Sequence, residues 1–218
     1  MEPFDLIPVP PDKDDVIFRS DRDDFRRLDA HMDYMRGSDL PYSGGYLLAA
    51  QKLVRCVYDE GQQDFLVFSI VYLYRHHVEL LLKRLIRLAA DLAAEALTEQ
   101  FEKHLGQHRI GQLWEDFKQL TGRDKFRASC ALVLRPEDVA GMDSYIKQIS
   151  HVDPDAQAFR YPLNTKGENS LPETLQSINI AVFSDHMDRL CAHLDGIDSY
   201  LDHLRELRND MIAEAYDY

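Results

Sequence analysis

Apolar positions recur at intervals of three and four along most of the chain, and no convincing run alternates in the manner of a strand, so the pattern predicts an all-α protein. The longest such stretch covers residues 63–97. It contains neither proline nor glycine and ends in the alanine-rich segment LAADLAAEAL. Residues 178–215 form the second, with Val182, Phe183, Met187, Leu190, Leu194, Ile197, Leu201, Leu204 and Leu207 in register and Gly196 as a joint if the stretch is two helices rather than one. Shorter helices are expected over 21–36 (Phe25, Leu28, Met32 and Met35 on one face), over 46–59 up to Gly61, and over HRIGQLWEDFKQL, where Ile110, Leu113, Trp114 and Phe117 share a side. RPEDVAGMDSYIKQIS adds another, since Pro136 suits a first turn and the acids after it suit the helix dipole. Together these elements predict an antiparallel helical bundle with 63–97 and 178–215 as long central partners.

Punctuation between the periodic stretches sets the organisation. Pro3, Pro8, Pro10 and Pro11 fix φ and remove donors, so residues 1–20 are expected as an extended arm before a single bundle domain over 21–218. Gly37 with SDLPYSGG, and later Gly106, break the chain; HVDPDAQAFRYPLNTKGENSLPE is a loop rich in turn residues.

The first long stretch also carries the main candidate chemistry. On a helix turning roughly 100° per residue, Tyr72, Arg75, His76, Glu79, Lys83 and Arg87 fall within a sector of about 120°. Val71, Leu73, Val78, Leu80, Leu81, Leu82 and Leu85 occupy the remaining circumference, which marks the helix as central and its polar stripe as a groove or a polar core rather than a plain solvent face. Buried charges must pair, and Glu79 lies four residues from both Arg75 and Lys83.

Charge and composition narrow the partners. The 218 residues are 45 % hydrophobic and 29 % charged, enough to fill a core, and carry a formal charge of -13. A chain this acidic is repelled overall by a polyphosphate backbone, which disfavours non-specific nucleic-acid binding yet permits a local basic groove. Two small basic clusters exist, Lys83 with Arg84 and Arg87, and Arg123 with Lys125 and Arg127; ordinary solvated faces are the plain reading of both. No charge-free apolar run reaches the roughly 18 residues of a membrane span. The start has no basic region followed by a long apolar one, so no signal peptide is expected, and Cys56, Cys130 and Cys191 are too few and too dispersed for a disulfide framework. A reducing cytoplasm is the expected setting, without membrane partners.

Three segments carry a resemblance: YLYRHHVELLLKRLI, then QHRIGQLWEDF, then HVDPDAQAFRYPLNTKG. In this order they resemble a group of poorly characterised bacterial proteins with the patterns YxYRHxxELxLK, HxLxxLW and DPxxxxFRYP, whose bundle is similar to HEPN-like helical domains. Arg75, His76, Glu79, Lys83, His108, Trp114, Asp153, Arg160, Tyr161 and Pro162 coincide with those patterns, and Ile110 stands where they have leucine. The resemblance implies a toxin–antitoxin or phage-defence setting. Ribonuclease members of that superfamily use an arginine and a histidine separated by four to six residues, the histidine assisting 2′-OH attack and the arginine stabilising the developing charge. This chain departs from them: Arg208-Asn209 begins such a motif without its histidine, and Arg26 to His31, the one pair at that spacing, is no more than chance supplies.

Two readings therefore stand. In one, Arg75, His76 and Glu79 as catalytic groups, with Lys83, His108, Arg160 and Tyr161 as ligand-binding groups, act on or bind RNA or a nucleotide. In the other, a non-catalytic protein–protein interaction module, acidic and dimeric through a long helix, uses the stripe as a salt-bridge network. There Arg160 pairs with Glu79 or Asp153, while Tyr161 and Pro162 pin the loop and Trp114 is core. No metal or cofactor is expected: His104 and His108 at i, i+4 lack further ligands, no Glu-x-x-His occurs, and Cys191 and His193 point apart on a helix.

Overall fold

The computed structural model describes residues 39–130, 132 and 134–216, together with the isolated positions 13, 18, 30 and 32. The expected N-terminal arm and the helix over 21–36 lie outside the described residues. The chain divides into units 1–37 and 38–218, and the described helices all belong to the second.

Seven helices and no strand occur among the described residues: α1 (Leu40–Glu60), α2 (Gln63–Leu92), α3 (Glu99–Leu105), α4 (Ile110–Thr121), α5 (Asp124–Ser129), α6 (Pro136–Val152) and α7 (Ile180–Tyr216). The protein is an all-α bundle, as the periodicity predicts. α1 starts earlier than expected because Pro41 suits a first turn and Gly44 and Gly45 are tolerated inside it. It ends at Gly61, whose φ of 80° and amide bond to the Val57 carbonyl close the last turn before α2 begins. α2 stops at Leu92, short of the predicted limit, and α7 runs through Gly196 without a break. The brief α3 and α5 escape a periodicity argument, since one or two turns hold too few apolar positions to show a period.

α2 is the hub of the bundle. Its length and hydropathy would suffice to cross a membrane, yet in this fold α1, α4 and α7 pack around it. Leu82, Leu85, Ile86 and Ala89 are fully buried there, meeting a core that includes Trp114 and Phe117 of α4 and Leu194 and Leu201 of α7. Burying each large aliphatic side chain contributes roughly 1.5–3 kcal/mol. Gly111 lets α4 approach α6 closely: a Cβ there would sit 3.0 Å from the Ser150 hydroxyl oxygen.

Helix direction departs from expectation at one place. α1 and α2 are antiparallel, as are α6 and α7, where the Tyr145 hydroxyl meets His186 and Asp138 lies near His193. The two long helices instead run in the same direction. Tyr74 bonds Asp188, Arg84 pairs with Asp198 and Asp202, and Arg208 pairs with Asp91. Four shorter helices and a long loop carry the chain back between them, so nothing forces the reversal that a short connection would.

The two sides of α2 make this arrangement testable. Leu82→Ala, at a fully buried position, is expected to lower unfolding free energy by about 2–5 kcal/mol in urea titrations. Phe65→Ala, at a position 82 % exposed on the same helix, is expected to cost under about 0.5 kcal/mol.

Candidate functional site

Arg75 and Glu79 lie one turn apart on α2, and each is only 1 % exposed. The guanidinium has three destinations. Nη1 donates to Glu79 Oε2 at 3.0 Å, Nη2 to the His108 carbonyl just before α4 at 2.5 Å, and Nε to the Asp153 carbonyl just after α6 at 3.3 Å, with Asp153 Oδ2 in ionic contact at 3.0 Å. Asp153 is held for this contact: its Oδ1 accepts from the amides of Gln157 and Ala158, while its own amide donates to the Ile149 carbonyl. Glu79 Oε1 accepts from Lys83 Nζ at 2.9 Å and contacts His108 Nδ1 at 2.8 Å. Burial alone would raise the Glu79 carboxyl, but the hydrogen bonds from Lys83 and His108 outweigh it and hold the group below its ordinary value. Arg75, Glu79, Lys83, His108 and Asp153 thus form one closed cluster with both i, i+4 pairings of Glu79 made.

The other half of the stripe faces outward. His76 is half-buried, stacked on Tyr72 with ring centroids 5.5 Å apart and meeting Tyr46 of α1 edge-on at 4.5 Å. Arg160, from the loop after α6, extends over the Tyr72 ring at 5.5 Å and bonds the Tyr161 hydroxyl. Burial lowers the His76 pKa, and the positive charge of Arg75, His108 and Lys83 nearby lowers it further, against the pull of Glu79. Burial raises the Tyr72 hydroxyl, with Arg160 opposing. The result is a row of rings, Tyr46, His76 and Tyr72, flanked by Lys83, the half-exposed His108 and Arg160.

Several expected contacts resolve differently. Arg160 pairs with neither Glu79 nor Asp153; Arg75 takes both carboxylates because it sits between them in the interior. Tyr161 and Pro162 are exposed, and it is the preceding Ala158 and Phe159 that pin the loop, by packing on Val71. The stripe is also narrower than its helical projection implies. Arg87 leaves it for an exposed pair with Asp39, and Arg84 points to Asp198 and Asp202 of α7, so the basic run 83–87 disperses in three separate directions. Arg123 and Lys125 both pair with Glu95. Trp114 is core, with its indole N–H donating to Asp143. His104 pairs with Asp116 and His108 with Glu79, and among the described residues no group of three or more His, Cys, Asp or Glu is placed to hold a metal ion.

Two participants were not legible as candidates. Tyr46 joins the ring row only because α1 folds back on α2. His77, next to His76 and about 100° round the helix from it, is fully buried between α1 and α7: its Nδ1 meets the Ser43 carbonyl at 2.9 Å and its Nε2 lies 3.8 Å from Asp195. The available signal was the heptad spacing of Asp188, Asp195 and Asp202, an acidic row along one side of α7 that a polar group on a facing helix can meet.

Comparison with protein-family models, curated proteins and solved structures finds no match.

The buried cluster predicts a defined acid response. A carboxyl lowered on folding contributes stability that is complete above its unfolded value, near 4.5 for Glu79, and is lost as pH falls through the lower folded one. Glu79→Gln is expected to cost about 3–5 kcal/mol near neutrality, because it strands buried Arg75 with one fewer carboxylate, and to flatten the dependence of unfolding free energy on pH below about 4.5. Urea titrations across that range read both effects.

Proposed function

We propose that this protein binds a nucleotide or single-stranded RNA on the face formed by Tyr46, Tyr72, His76, Lys83, His108 and Arg160. The observation that carries the reading is the pairing of a ring row with basic groups on one outward face of an otherwise strongly acidic chain. Arg75, Lys83 and Arg160 outnumber Glu79 and Asp153, and both carboxylates are buried beneath the face and ion-paired with Arg75. Local charge therefore favours an anion where the whole-molecule charge does not. Aromatic rings offer stacking to any base, and an exposed guanidinium suits phosphate.

In this reading His76 and Arg160 touch the ligand. Arg75 and Glu79 do not: they position His108, Lys83 and the loop that delivers Arg160. The chemistry is binding, since Arg75, committed to three partners in the interior, has no face open to a scissile phosphate. The context we propose is the bacterial defence or toxin–antitoxin setting implied by the HEPN-like resemblance, in the cytoplasm.

The closed cluster favours a second reading, a non-catalytic interaction module whose acidic surface meets a protein partner or a second copy. One experiment separates them. Adenosine 5′-monophosphate by calorimetry and a short fluorescein-labelled single-stranded RNA by anisotropy are titrated into the wild type, Arg160→Ala and His76→Ala. Nucleotide binding predicts saturable wild-type titrations weakened about ten-fold or more by either change, the worth of one stacked base or one charge-assisted bond. Arg160→Ala is expected to leave the thermal unfolding midpoint unchanged, because its side chain is exposed. Flat wild-type titrations would sink the nucleotide reading and leave the interaction module.

A further inference from the structure

The bundle contains a second feature with the shape of a binding site, away from the ring row. Between α2, α6, α7 and the loop 153–179 the side chains leave a cavity of about 260 Å³. It separates two hydrophobic clusters: the main core, to which Met187 belongs, and a small satellite of Val71, Ala158 and Phe159. Val71, Val152, Phe159, Ile178 and Met187 supply its apolar walls. Its polar groups are the Gln148 amide, whose Nε2 bonds Ser144, and a pair formed by the Tyr145 hydroxyl and His186 Nδ1, 2.9 Å apart.

We propose that this cavity binds a small, neutral, mostly apolar ring compound bearing one hydroxyl group. Size comes first. A cavity near 150 Å³ lined by aliphatic and aromatic side chains accommodates benzene, so this one suits a bicyclic or alkyl-substituted ring of roughly ten to twelve non-hydrogen atoms. Charge comes second. No lysine or arginine is among the described residues lining it, so a carboxylate or phosphate head would lose its hydration without a counter-charge. This sets the cavity apart from the Arg160 face, where lysine and arginine side chains stand beside the rings. The Tyr145–His186 pair then selects the functional group that meets it. If Tyr145 donates to His186, its oxygen still accepts; if His186 carries the Nδ1 proton, the tyrosine O–H is free to donate. A hydroxyl, which both donates and accepts, is satisfied in either tautomer, whereas a carbonyl or an ether fits only one.

The site shares no residue with the proposed nucleotide face, so the two stand or fall separately. 1-Naphthol and naphthalene are titrated into the full chain, followed by calorimetry and by the methyl signals of Val71, Val152, Ile178 and Met187. 1-Naphthol is expected to bind saturably and shift those methyls, and Tyr145→Phe is expected to weaken it about ten-fold, the worth of one hydrogen bond, while leaving naphthalene unchanged. Ile178→Trp, which fills the cavity from its half-exposed rim, is expected to abolish binding of both with the helical circular dichroism intact; Val152→Phe serves if that variant unfolds. Absence of saturable 1-naphthol binding, or binding that survives the cavity-filling change, overturns the proposal. So does an equal loss of both probes in Tyr145→Phe. Octanoate binding as tightly as 1-naphthol would overturn the neutral, hydroxyl-bearing assignment.

Discussion

The Arg75 guanidinium is where three segments of the chain meet in the interior. Through Glu79 it belongs to α2, through the His108 carbonyl to the turn that launches α4, and through Asp153 to the residue that ends α6. A planar cation with donors fixed in a fork suits this task better than lysine, because its directions are set by covalent geometry rather than by rotamer choice. The cost is desolvation, which neighbouring groups offset: Lys83 and His108 bond Glu79 Oε1, and two backbone amides bond Asp153 Oδ1. Elements far apart in sequence are thereby held at fixed positions against one helix. The loop after Asp153 inherits that anchor, and with it the placement of Phe159 and Arg160.

A separate set of polar contacts organises the opposite side of α2. Tyr74, His77 and Arg84 face Asp188, Asp195, Asp198 and Asp202 on α7. Burial raises the carboxyls of Asp195 and Asp198, against the opposing charge of His77 and Arg84 respectively. Hydrophobic packing alone tolerates a slide or a reversal of two long helices; polar pairs spaced along them do not, since a displaced helix would lose all of them together and strand Asp198, the buried carboxylate of the set. These pairs fix the register and the shared direction of α2 and α7. With one polar edge turned to α7 and another to α4 and the loop, α2 tolerates ionisable groups while remaining the most buried helix.

Much of this was legible beforehand because helical periodicity is local. The spacing of apolar positions located α2, α4 and α7, Pro136 marked the start of α6, Gly61 and Gly122 the ends of α1 and α4, and the four-residue spacing of Arg75, Glu79 and Lys83 set both of their pairings. Less was legible about the candidate site, because its partition into interior and surface depends on what covers each residue. Arg75 and His76 are neighbours in sequence, about 100° apart on the helix. One was thus covered by α4 and the loop, while the other faces outward beside Tyr46. Likewise the pattern points to Tyr161 and Pro162 as the residues that pin the loop, whereas the less conspicuous Ala158 and Phe159 do so.

What the sequence by itself determined, then, is the helical class, the approximate bounds of the long helices and the pairings confined to a single helix, because each rests on contacts within a turn or two of chain. Tertiary structure alone decided that Arg75 rather than Arg160 takes Asp153, that Tyr46 and His77 belong to the polar architecture, that α2 and α7 run in the same direction, and that a cavity edged by Tyr145 and His186 lies between two hydrophobic clusters. Those outcomes depend on side chains tens to more than a hundred positions apart meeting under one packing constraint. No periodicity within a helix encodes which distant helix will cover it.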